Sequence, residues 1–169
     1  MGARHENEPT STKNGTRVER TSDRELVLAR TFNGPARIVF AAWTKPELFK
    51  LWWVPKSTGM SLISCEQDVR VGGKYHIQLG VAGSKPMAFF GRYTEVTPHS
   101  RLVWTNEESD EGAITTVTFE EKAGKTRLVM HELYPSKEAL DRAGAGMEGG
   151  LDETFGQLDE LLVTLRARV

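Results

Sequence analysis

A series of short strands separated by tight turns is the feature that most limits the folds open to this chain. In KYHIQLGV (residues 74–81), Tyr75, Ile77 and Leu79 alternate with polar residues, which is typical of a strand with one buried face. Similar segments occupy residues 61–71, 87–96, 101–106, 113–122 and 126–133. Because short connections usually join antiparallel neighbours, the sequence predicts an antiparallel sheet.

One long helix is predicted after the strands. Apolar residues recur at four-three-four-three spacing, at Leu151, Phe155, Leu158, Leu162 and Leu165. This spacing places them on one face of a helix. Acidic residues near its start and arginines near its end suit the helix dipole.

Helices also follow the first strand, which is predicted at residues 25–32. Pro35 suits the first turn of one helix, and Thr44 with Glu47 has the spacing of a capping box at the start of another. The helix that begins near Thr44 is predicted to stop at Val54, which precedes a proline. The predicted class is therefore α+β, with a curved antiparallel sheet of about six to seven strands around a long C-terminal helix.

The first 24 residues contain almost nothing apolar. Such a segment cannot offset the entropy lost on ordering, so it is predicted to be a disordered polar tail. The domain is predicted to span residues 25–169.

Charge and cysteine content exclude several classes of protein. The net charge is −1 and the basic residues are scattered, whereas nucleic-acid binding normally requires a basic face. No apolar run approaches the length of a membrane span, and none resembles a signal peptide. The single cysteine, Cys65, fits a reducing compartment. We therefore expect a cytoplasmic protein with no nucleic-acid or membrane partner. A monomer or a homodimer is expected, and the sequence does not distinguish them.

Three of the four tryptophans, Trp43, Trp52 and Trp53, lie within AAWTKPELFKLWWVP (residues 41–55). On a helix, the apolar residues from Leu48 to Trp53 spread over roughly 200°, whereas a helix lying on a core needs about 100°. The segment is either sandwiched in the core, or exposes one edge to a cavity or an interaction surface. Trp43 and Trp52 continue core stripes, and Trp53 lies at the far edge of the arc.

No group of residues compels a catalytic or metal-binding interpretation. The four histidines lack the spacing of zinc motifs, so no metal and no cofactor are expected. His131 is interpreted either as a surface histidine or as a polar group that lines a pocket. For an enzyme, the chain offers only isolated candidates: His131, Glu132 and Tyr93.

The chain resembles a known family through five blocks in order. They are RTFNGPARIVFAAWTKPELFKLWWVP, DVRVGGKYHI, GRYTEVTPHSRLVWT, TVTFEEKAGKTRLVMHE and GGLDETFGQLDELL. They are similar to the signature of the activator of heat-shock protein 90 ATPase homologues, in the START-like (SRPBCC) superfamily. The resemblance covers about residues 25 to 165 and implies the helix-grip fold. Many members have Gly-Trp where this chain has Gly150-Leu151, which implies a reshaped cavity end.

The resemblance also implies a deep apolar cavity between the sheet and the C-terminal helix. Alternation within it predicts the wall residues Trp53, Tyr75, Ile77, Phe89, Trp104, Met130 and Phe155. His131 is predicted to be the polar group that contacts a ligand. No catalytic residue is assigned.

Three functions follow as hypotheses. The first is a binding protein for a small hydrophobic molecule. The second is a co-chaperone-like module that acts on a heat-shock protein 90 ATPase, although the short tail leaves no room for the extra N-terminal domain of the eukaryotic co-chaperones. The third is an enzyme similar to polyketide cyclases.

Overall fold

The computed structural model describes residues 10–11, 16–81, 83–144 and 147–167. Within them, nine strands form a single sheet: β1 (Thr10–Ser11), β2 (Arg17–Arg20), β3 (Glu25–Phe32), β4 (Ser61–Gln67), β5 (Lys74–Gly80), β6 (Met87–Thr97), β7 (Arg101–Thr105), β8 (Ile114–Lys122) and β9 (Lys125–Leu133). The helices are α1 (Ala36–Thr44), α2 (Pro46–Phe49), α3 (Lys137–Gly144) and α4 (Met147–Ala167), with a 3₁₀ turn at Lys56–Thr58.

The strand order is β1-β2-β3-β9-β8-β7-β6-β5-β4, and every neighbouring pair is antiparallel. From β4 to β9 the strands follow the chain as hairpins, and β3 closes the series by pairing with β9, where Leu28 faces Met130. Phe155 of α4 packs against Phe32 of β3. The α+β class and the helix-grip arrangement are therefore confirmed, with more strands than the six to seven predicted.

The additional strands β1 and β2 lie in the segment that was predicted to be a tail. Val18 of β2 is 2% exposed and joins the core, and it pairs with Leu28 of the adjacent strand β3. Thr16 is also buried and accepts a hydrogen bond from Arg30. A disordered tail is thus wrong for the described residues from Thr16 onward, because one apolar side chain and one buried hydroxyl anchor a polar strand. Residues 1–9 and 12–15 of the predicted tail lie outside the described residues.

The first two helices are short and their inner faces are apolar. In α1, Ile38, Val39, Ala42 and Trp43 are buried, as their helical spacing predicted. The second helix ends at Phe49, earlier than predicted, and a looser turn carries the chain onward through the bond from Trp52 N–H to the Phe49 carbonyl at 3.3 Å. This turn places Trp52 and Trp53 on the inner side of the sheet.

The long helix α4 presents its predicted apolar face to the core. Phe155, Leu158 and Leu162 are at most 1% exposed, and Leu151 and Leu165 are partly buried at the two ends. The core thus lies between α1, α4 and the inner face of the sheet, and it ends near Leu151.

Candidate functional site

A cavity of about 520 Å³ lies next to the core, with the inner face of the sheet as one of its walls. Small-molecule sites typically occupy about 300–1,000 Å³. The other walls come from the α1–α2 segment, the start of α4, α3, and the loop between β7 and β8. The large apolar and aromatic wall residues are Trp43, Phe49, Trp53, Tyr75, Ile77, Phe89, Tyr93, Trp104, Met130, Tyr134 and Leu151.

The structure brings six of the eight predicted site residues together in this wall. They are Trp53, Tyr75, Ile77, Phe89, Trp104 and Met130. Strand alternation explains five of them, because side chains at i and i+2 share one face of the sheet. Their contact with a ligand remains a prediction.

The structure does not bring His131 to the cavity. It lies on β9 between Met130 and Glu132, which both line the cavity, so alternation turns its ring to the other face. There its Nε2 lies 2.9 Å from Glu25 Oε2. Glu132 is the polar residue of β9 that lines the cavity. It lies two residues after Met130, a predicted wall residue, so alternation already places it on the same face.

Phe155 also lies outside the cavity, in the core behind it. It is completely buried, and its ring centroid lies 5.6 Å from that of Phe32 and 6.5 Å from that of Trp52. Leu151, one helical turn earlier, takes the place in the wall. The position at which many family members carry tryptophan is thus a cavity position.

The three clustered tryptophans have different surroundings. Trp52 is fully buried and its indole N–H donates to the Ala42 carbonyl at 2.9 Å. Trp43 is 2% exposed and lines the cavity, and its buried indole N–H has no hydrogen-bond partner among the described residues. Trp53 is half-buried and lines the cavity. Trp43 therefore serves both core and cavity.

A polar row crosses the sheet at one end of the cavity. The strand register places Glu132 of β9 opposite Thr115 of β8, and Thr115 opposite Trp104 of β7. The Thr115 hydroxyl donates to Glu132 Oε2 at 3.2 Å, and the Tyr134 hydroxyl donates to Glu132 Oε1 at 3.0 Å. Each carboxylate oxygen of Glu132 therefore accepts one hydrogen bond from a hydroxyl group.

Asn106 extends this row toward β5. Its Nδ2 donates to the Thr115 hydroxyl at 3.0 Å and to the Ala113 carbonyl at 2.6 Å. The Tyr75 hydroxyl lies 3.2 Å from Asn106 Oδ1 and 2.7 Å from the Thr105 carbonyl. A continuous polar network thus reaches from Tyr75 to Glu132. Sequence reasoning missed it because Asn106 was assigned to the end of a strand, whereas it follows β7 and begins the loop to β8.

Burial controls the ionisation of these groups. It raises the pKa of Glu132, against the opposing effects of the hydrogen bonds from Tyr134 and Thr115 and of the nearby His131. Burial likewise raises the pKa values of Tyr75 and Tyr134 above the ordinary tyrosine value. The tyrosines are therefore neutral hydrogen-bonding groups at physiological pH.

A second polar group lies near Trp43. Gln67 Nε2 donates to the Trp43 carbonyl at 3.0 Å and to the Tyr93 hydroxyl at 3.2 Å. Burial raises the pKa of Tyr93 to about 12 and that of Cys65 to about 11. The Cys65 thiol therefore stays protonated at neutral pH, which is unfavourable for a nucleophile.

An ion pair lies at the solvent-exposed edge of the cavity. Arg142 of α3 binds Glu111 of the β7–β8 loop, and both residues line the cavity with exposed side chains. In the same loop, a Cβ on Gly112 would lie 1.9 Å from the Asn106 carbonyl oxygen. Glycine thus permits the close approach that folds this loop.

In the part of the chain that the structure describes, the His, Cys, Asp and Glu residues form no group of three or more that is suited to hold a metal ion. None of the described helices has the length and apolar character needed to span a membrane.

A sheet wrapped on a long C-terminal helix, with an apolar cavity between them, defines the helix-grip class of START-like proteins. Residues 33–163 match the family described as "Activator of Hsp90 ATPase homolog 1-like protein". The chain belongs to this family, as the sequence blocks indicated. Comparison with curated proteins gave no match.

Solved structures of bacterial proteins share the fold. A protein from Rhodobacter sphaeroides has a TM-score of 0.82 and 23% identity, over 89% of this chain and 99% of that one. A protein from Nitrosomonas europaea has a TM-score of 0.77 and 25% identity, over 88% and 99%. A protein from Chromobacterium violaceum has a TM-score of 0.69 and 27% identity, over 81% of this chain and 96% of that one.

Proposed function

We propose that this protein is a cytoplasmic binding protein for a small, mainly apolar molecule. The observation that carries the proposal is the cavity of about 520 Å³ with its aromatic walls. Apolar walls with a few placed polar groups are typical of sites that bind such molecules. Here the polar groups are Glu132 and its hydrogen-bonding partners.

The proposal is tested by titrating a panel of lipids, flavonoids and polyketides while recording tryptophan fluorescence. Trp43, Trp53 and Trp104 line the cavity, so a bound molecule is expected to change their emission. Mass spectrometry of the purified protein under native conditions provides an independent search for a co-purified ligand. If no compound binds and nothing co-purifies, the proposed function fails.

A pair of substitutions on α4 locates the binding. Leu151→Trp adds bulk to the cavity wall at a position where many family members carry tryptophan, and is expected to weaken binding of the larger ligands. Val163→Trp makes the same kind of change at a position that is 59% exposed on the same helix. Calorimetry should show weaker binding for the first variant only. Equal effects of both variants would place the ligand elsewhere.

The family supports co-chaperone activity as a second proposal. In this case an exposed surface would contact a heat-shock protein 90 ATPase. The tryptophan cluster does not supply such a surface, since Trp43 and Trp52 are buried and Trp53 is half-buried. An ATPase assay with and without this protein tests the proposal, and an unchanged rate would argue against it.

An enzymatic use of the cavity is a third proposal. It is supported by Glu132, a carboxyl group whose pKa is raised by burial and which accepts a hydrogen bond from Tyr134. Such a group suits general acid–base chemistry. Incubation with a bound ligand followed by product analysis tests it, and recovery of the ligand unchanged would count against it.

A further inference from the structure

Glu132 is a partly buried acidic group that lines the cavity and has no cationic partner among the described residues. Among the described residues, no ion pair includes it. Arg142 also lines the cavity but pairs with Glu111. Removing an unpaired carboxylate from water, even in part, is costly, so a protein normally supplies a partner charge or keeps the group neutral.

The hydrogen bonds around Glu132 favour a carboxylate that acts as an acceptor. Thr115 and Tyr134 each donate to one of its oxygens. The Thr115 hydroxyl accepts from Asn106, which leaves its own proton to point at Glu132. Donors on both oxygens stabilise the ionised form, yet burial still raises the pKa, because two neutral hydroxyls do not replace a counter-charge.

The charged groups around Glu132 leave this position open to a cation. Four uncharged residues from α1, α2, the turn after α2 and α4 also line the cavity: Trp43, Phe49, Trp53 and Leu151. The remaining titratable groups of the cavity are Tyr75 of β5, Tyr93 of β6, Tyr134 after β9, Glu108 and Glu111 of the β7–β8 loop, and Arg142 of α3, and His131 lies on the reverse face of β9.

We propose that the cavity binds a molecule composed of an apolar body and a protonated amine, with the amine paired to Glu132. This inference rests on the proposed binding function and specifies its ligand class. The amine would supply the missing positive charge, and the apolar body would extend along Met130 and Trp104, which lie beside Glu132 and Thr115 on the same face of the sheet. A charge-assisted hydrogen bond is stronger than a neutral one, so the end of the cavity at Glu132 should bind a protonated amine more tightly than a neutral polar group.

The test compares three probes of equal chain length: decylamine, decanol and decanoic acid. Calorimetry at pH 7 and concentrations below micelle formation is expected to show decylamine binding about tenfold or more tightly than decanol, with decanoic acid weakest. In Glu132→Gln, which keeps the shape and removes the charge, decylamine is expected to bind no more tightly than decanol. Decanol binding itself should be retained, which shows that the variant is folded.

Glu108→Gln is the matched control. Glu108 lines the same cavity but is exposed, so solvent screens its charge. The preference for decylamine should survive this substitution. Equal binding of the three probes, or a preference that persists in Glu132→Gln, overturns the amine inference while leaving the proposed binding function intact. Absence of binding by all three probes counts against both.

Discussion

Trp53 stacks on Phe49, with ring centroids 4.8 Å apart and ring planes 26° from parallel. This contact holds Trp53 against the cavity at the point where the chain leaves α2. Trp52, the preceding residue, turns the other way into the core. Two adjacent tryptophans thus have different roles, one in packing and one in the cavity wall.

Substitution of the wall and the core should therefore have different effects. Phe155→Ala, in the core, is expected to lower the free energy of unfolding by about 3–5 kcal/mol. Trp53→Ala should cost less because Trp53 is half-buried, but should weaken ligand binding more. Urea unfolding and calorimetry measure the two effects. A Trp53→Ala variant with unaltered binding would remove Trp53 from the site.

Glu132 should make the stability depend on pH. A carboxyl group whose pKa is raised by folding binds more protons when folded than when unfolded, so stability falls as the pH rises from about 4.3 through the raised pKa. Glu132→Gln removes this loss and is therefore expected to be more stable than the parent protein at pH 7. Unfolding in urea from pH 4.5 to 8 measures the difference. A variant less stable than the parent protein at pH 7 would contradict it.

The strand β2 should contribute to the stability of the whole domain. Val18→Ala removes buried apolar area and is expected to cost about 1.5–3 kcal/mol. Arg17→Ala, at the exposed neighbouring position, should change stability little. Thermal unfolding of the two variants makes the comparison. Equal stabilities would show that β2 is not part of the cooperative unit.

Gly112 should be needed for the loop at the cavity edge. Gly112→Ala places a methyl group against the Asn106 carbonyl, which is expected to cost about 1–3 kcal/mol and to loosen the bond from Asn106 to Ala113. Gly156→Ala, where the added methyl meets open space within α4, should instead stabilise by about 0.5–1 kcal/mol. Denaturant unfolding distinguishes the opposite signs, and two variants of the same sign would refute this account.

Local patterns in the sequence account for most of the fold. The first strand was predicted at residues 25–32 and β3 has these bounds. Alternation likewise placed Tyr75 and Ile77 on the cavity face. These predictions succeeded because strand periodicity depends only on neighbouring residues. The strand β2 escaped prediction because its burial depends on Val18 and on Thr16 meeting the distant Arg30.

The polar part of the site was harder to predict. His131 was predicted as the polar residue in contact with a ligand, although alternation from Met130 points to Glu132. Phe155 was assigned to the wall because the helical pattern does not show where along α4 the core ends. Only the tertiary packing determines that Leu151, one turn earlier, faces open space.

We expect the ion pair between Arg142 and Glu111 to slow the exit of a ligand. It joins α3 to the β7–β8 loop at the edge of the cavity, and both side chains are exposed, so dissolved salt weakens it. The residence time of a neutral ligand should therefore shorten as ionic strength rises, while its equilibrium affinity changes little. Stopped-flow dissociation of decanol across a salt series measures this, and Arg142→Ala should abolish the salt dependence. The same bound molecule would thus be held longer in dilute than in concentrated salt.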